Sequence, residues 1–171
     1  MELEVPADAW YTWVGVALVS IAVGGLVLSL PTQPPPDAAA AANTVDRVAT
    51  SDAGATATHE HSAEEIRLGT RQIALRNDAG TAYASVAFGS LTPIHATEGE
   101  LRAAARALLD GATPETVLRE HGFADERALA DALAQSRREL DRSGAQWRPA
   151  AGQIRSRTVE LAGERVVLVS G

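Results

Sequence analysis

The chain has no cysteine and no lysine, so all fifteen basic residues among its 171 are arginine. Without thiols there is no disulfide, no thiolate nucleophile and no cysteine-ligated metal. Positive charge is also scarce: 22 carboxylate side chains outweigh the arginines and leave a formal charge of −7, the wrong sign for a protein that coats nucleic acid. No glycine-rich phosphate loop is present, because Val23-Gly24-Gly25-Leu26 lies inside an apolar run. No histidine stands in a nucleophile motif. These absences remove the common catalytic signatures and point to a non-enzymatic protein without a cofactor.

What the chain has in abundance is one apolar run, "WYTWVGVALVSIAVGGLVLSL", Trp10 to Leu30. As a helix it covers about 30 Å, the thickness of a bilayer's hydrocarbon core, and it lacks the polar face of a helix in a soluble core. A cleaved signal peptide begins with basic residues and ends at a small-residue site. Here Glu2, Glu4 and Asp8 precede the run and Pro31 follows it. The expectation is an uncleaved transmembrane anchor over 10–30 after a short acidic tail over 1–9. Trp10, Tyr11 and Trp13 suit a membrane interface, where an aromatic body meets lipid and its polar edge meets water. Gly15, Ser20, Gly24 and Gly25 supply small residues at helical spacing, which let a second helix approach closely.

Beyond the run, "PTQPPP" breaks the helix, Asp37 to Ser51 suits a short helix capped by Asp37, and "DAGATATHEHS" has linker composition. Residues 31–63 are therefore expected to form a Pro/Ala/Thr-rich stalk. Residues 64–171 form the expected soluble domain. Its first part is a hairpin, 65–76 and 81–91, turned at Asn77-Asp-Ala-Gly80. Three helices come next. The first is introduced by the capping-box pattern Thr97-Glu-Gly-Glu100, the second by Thr113-Pro114 and the third by Asp125; glycines 111, 122 and 144 end them. A second hairpin, 154–161 and 165–169, closes the domain, and Val166-Val-Leu-Val169 is apolar enough for burial on both faces. The expected class is α+β: an N-terminal transmembrane helix, a stalk and a small ββ-ααα-ββ domain.

Candidate chemistry is sparse. His59-Glu60-His61 offers metal ligands, but its linker composition provides nothing to fix their geometry. His95 and His121 suit capping or surface positions. Residues 113–140 contain two capped helices joined at Gly122-Phe123, in the manner of a helix-turn-helix, yet Asp125 and Glu126 stand where a DNA-reading helix presents polar and basic groups. These segments leave two alternatives: a membrane-tethered cytoplasmic helix-turn-helix-like regulator, and a surface metal-binding protein using His59 and His61.

An acidic, lysine-free, alanine-rich composition suits a GC-rich genome and a salty cytoplasm. The anchor, "AANTVDRVATS" and "IRLGTRQIALRNDAGTAYASVAFGSLTPIHA" together resemble an uncharacterised family of haloarchaeal single-pass proteins. The layout is similar to pilin-like accessory components of type II or type IV secretion and pilus machinery. One departure is plain, since an archaeal prepilin has a basic, cleavable segment before its helix and this chain has Glu2, Glu4 and Asp8. The resemblance implies an accessory structural subunit at the cell membrane, with its domain on the outer side. Its expected partners are the lipid bilayer and other membrane proteins of the assembly, with no nucleic acid.

Overall fold

The computed structural model describes residues 8–28 and 34–171. Residues 1–7, with the first acidic positions, and 29–33, with the expected helix exit, lie outside the described residues. The chain divides into two units, 1–34 and 35–171.

The first unit contains helix α1, Asp8–Leu28. The apolar run is thus helical, but the expected membrane crossing over 10–30 is corrected: no helix among the described residues is long and apolar enough to span a bilayer. The first turns hold Asp8 and the aromatic residues through Trp13. The stretch after the last aromatic, 14–28, measures about 22 Å at the helical rise, short of a hydrocarbon core of roughly 30 Å.

The second unit is α+β with two four-stranded sheets. It begins earlier than expected, because residues assigned to a stalk belong to its core. Helix α2, Ala38–Thr50, starts at Asp37, whose carboxylate accepts the Ala40 N–H at 2.8 Å. Ala38, Ala41, Ala42, Val45 and Ala49 lie on one face of it and are buried. Small side chains allow this helix to lie close upon the strands. The supposed linker likewise contains strand β1, Thr56–Glu60.

Strands β2 (Glu65–Leu68), β3 (Gln72–Asn77) and β4 (Gly80–Ser85) come next. The first expected strand is broken in two at 69–71, and the hairpin expected around Asn77–Gly80 joins β3 to β4. Strand β5 (Leu91–Pro93) and a 3₁₀ turn (Ile94–Ala96) lead into helices α3 (Gly99–Asp110), α4 (Pro114–His121) and α5 (Glu126–Ser143). The expected capping box is not formed. Glu98 occupies the N-cap of α3, and the Thr97 hydroxyl instead donates to the Ile94 carbonyl at 2.6 Å. Strands β6 (Arg148–Pro149), β7 (Gln153–Leu161) and β8 (Glu164–Ser170) complete the chain.

One sheet has the order β1-β7-β8-β5, with β5 parallel to β8, and the other β4-β3-β2-β6. Strand β8 separates two cores by the alternation of its side chains. Val167 and Val169 join α2 and the second sheet's Ile66, Leu68, Ile73 and Leu75, while Val166 and Leu168 join the helix cluster of Leu108, Val117, Leu129 and Leu133. All four β8 residues are buried, as their apolar run predicts.

Candidate functional site

Two places carry enough unusual chemistry to act as sites. The first is the surface of α1. Large apolar side chains are exposed on several of its sides: Leu18 and Val19 at 63%, Ile21 at 71% and Leu26 at 67%. The expected interface residues Trp10, Tyr11 and Trp13 are exposed as well, with the Trp10 and Tyr11 rings 5.0 Å apart. Around the expected packing residues there is open space, since a Cβ added to Gly15, Gly24 or Gly25 meets no atom within 4 Å. Ser20 and Gly24, one turn apart, share a face, so a neighbouring backbone can come close there. Water is a poor environment for such a surface.

The second place is a cationic cleft of about 380 Å³ in the second unit. Four segments build it, one of them the end of β8, where Ser170 and the following Gly171 line the wall. The 3₁₀ turn brings His95, α3 brings Arg102 and Arg106 one turn apart, and β6 brings Arg148. Arg102 is aimed by its own backbone contacts: its Nε donates to the Thr97 carbonyl at 2.6 Å and an Nη to the His95 carbonyl at 3.4 Å. Among the described residues no carboxylate lies within ion-pair distance of Arg102, Arg106 or Arg148. Burial, and then the charges of Arg148 and Arg102, hold the His95 imidazole below its usual pKa. Its Nε2 is buried and makes no hydrogen bond. Just beyond, Asp110 pairs with Arg155 at 2.7 Å. The cleft was not legible from the chain as a site. Only the i, i+4 pair Arg102 and Arg106 hinted at it, and such pairs are usually solvated surface.

His59 and His61 stay neighbours, while His95 and His121 lie on other elements. His59 lies on β1 opposite Ile154. His61 follows that strand, its Nδ1 accepts the Ala63 N–H at 3.2 Å, and burial first, then His59, lowers its pKa. No group of three or more His, Asp or Glu that could hold a metal occurs among the described residues. His121 ends α4 and pairs with Glu100 at 3.0 Å.

The α4–α5 pair has its leading end occupied. The Asp125 carboxylate accepts the Ala128 N–H at 2.7 Å, and the Glu126 carboxylate accepts the Ala162 N–H, also at 2.7 Å, so the start of α5 is tied to the β7–β8 turn. Arg137 of α5 reaches β5 and donates to the Thr92 hydroxyl at 2.9 Å.

Comparison with curated proteins and with solved structures returns no match. One family model covers residues 4–159, all of α1 and the folded unit to within two residues of the end of β7. The chain therefore belongs to DUF7283, a family of unknown function.

Proposed function

We propose that this protein is a non-enzymatic interaction subunit, held in a larger protein assembly by α1 and presenting the 35–171 unit to neighbouring subunits. The observation that carries this reading is the apolar surface of α1, exposed on several sides and furnished with small residues that admit another helix. A helix without a polar face has to be covered by apolar partners. A partner helix packed along the face of Ser20 and Gly24 supplies cover there and gains van der Waals contact from close backbone approach. The layout of one apolar helix before a small α+β unit suits an accessory subunit of a pilus-like or secretion assembly.

The test is isolation of the native protein under mild detergent beside two variants, one lacking residues 1–34 and one carrying Gly24→Leu. The parent is expected in a complex with pilus-like or secretion components. The truncated form should be a free monomer, and Gly24→Leu should weaken the complex, because added bulk separates the helices while the surface stays apolar. A parent recovered only as a monomer, or a Gly24→Leu protein indistinguishable from it, would overturn the reading.

A further inference from the structure

We propose that the cleft between the 3₁₀ turn, α3 and β6 binds an oxyanion, a phosphate group of a small metabolite or lipid headgroup, through Arg102, Arg106, Arg148 and the Nε2 of His95. This inference is independent of the role assigned to α1. Three observations converge on it. First, a protein of net charge −7 gathers three guanidinium groups around one concavity and, among the described residues, gives none of them a carboxylate partner. Like charges held together repel unless an anion joins them. Second, the guanidinium groups come from two elements, α3 and β6, that line the same cleft, so planar donor forks from separate parts of the chain are offered to one oxyanion. Third, the His95 Nε2 is buried without a hydrogen-bond partner, and a buried polar atom is normally satisfied. A turn of the imidazole toward the cleft that it lines brings this nitrogen to an oxygen of the bound anion. Burial and the adjacent arginines hold His95 neutral, so it contributes a hydrogen bond rather than a fourth charge.

The choice of phosphate over a monocarboxylate rests on donor number. Arg106 and Arg148 have no partner for their forks among the described residues, and Arg102 retains donors beyond those spent on backbone carbonyls. The cleft volume of about 380 Å³ leaves room for a group attached to the phosphate.

The experiment uses the full chain, kept in solution in a mild zwitterionic detergent without phosphate. Inorganic phosphate, glycerol phosphate and mixed micelles of phosphatidylcholine with or without phosphatidic acid are titrated separately, while the His95 imidazole resonances are followed by NMR. Saturable shifts of His95 are expected, with affinity falling about tenfold in each of Arg106→Gln and Arg148→Gln, the loss of one charge-assisted hydrogen bond. Both arginines are exposed, and thermal melts confirm that the variants remain folded. Binding of the soluble phosphates marks a free metabolite as the source. Binding of phosphatidic acid micelles alone, lost in the same variants, marks a lipid headgroup. No saturable shift with any probe, or unchanged affinity in both variants, overturns the site.

Discussion

At the scale of single residues, the two cores rest on a few fully buried side chains whose chemistry sets their cost. Leu133 is 0% exposed in the helix cluster, so Leu133→Ala should lower the unfolding free energy by about 2–5 kcal/mol in a denaturant titration. An unchanged midpoint would contradict its place there. Thr158 shows how a polar residue is accommodated at the same depth: its hydroxyl donates to the Val48 carbonyl at 2.6 Å, fastening β7 to the end of α2. His61 and His95 add a pH dependence. Both have folded pKa values below the ordinary one, so the unfolded chain binds more protons, and stability falls as pH drops from about 6.5 toward the folded values. Urea midpoints should therefore be lower at pH 5.5 than at pH 8, and His95→Gln should flatten the difference. A midpoint that rises on acidification would contradict imidazoles held neutral by burial. The cleft residues themselves left little trace in the sequence, because His95, Arg102 and Arg148 meet only through the fold. Nothing local distinguishes an arginine awaiting an anion from one facing water.

At the scale of elements, legibility followed local chemistry. Thr113 and Asp125 cap α4 and α5 through their side chains, and Gly111 and Gly122 end α3 and α4 in the left-handed conformation their positions suggested. The turn at Asn77–Gly80 and the hairpin of β7 and β8 were equally plain. Elements defined by tertiary partners were not. Strand β1 is an edge strand of mostly small and polar residues, recognisable only through its pairing with β7. Helix α2 is legible as a helix, but its narrow alanine-rich face suits a stalk as readily as a core. It is thin because it lies close against two sheets. Ala41→Leu tests this directly, since Ala41 is 0% exposed and overpacking a filled core costs about 1–3 kcal/mol. A stalk residue would tolerate the same change without loss, as a thermal melt of the 35–171 unit can distinguish. The apolar run supplied the opposite lesson: length and hydropathy identified the helix, but not a membrane crossing, which the extent of α1 does not support.

At the scale of the whole molecule, two units with opposite demands share one chain. Unit 35–171 buries its apolar side chains in two clusters of its own, whereas α1 exposes Trp10, Trp13, Leu18, Ile21 and Leu26. Removing residues 1–34 should therefore leave the melting temperature of the remainder within about 2 °C of its value in the full chain, while abolishing association; about 0.5 kcal/mol, the usual range for a change that touches no core, corresponds to roughly that shift. The absence of cysteine makes the association itself directly measurable, because one introduced thiol is the only thiol in the protein. A thiol-directed crosslinker applied to native cells carrying Gly24→Cys should capture a partner protein in high yield, and the same reagent with Ala22→Cys, on another side of α1, should capture much less. Equal capture from both positions, or none from Gly24→Cys, would contradict burial of the small-residue face of α1 against a partner helix.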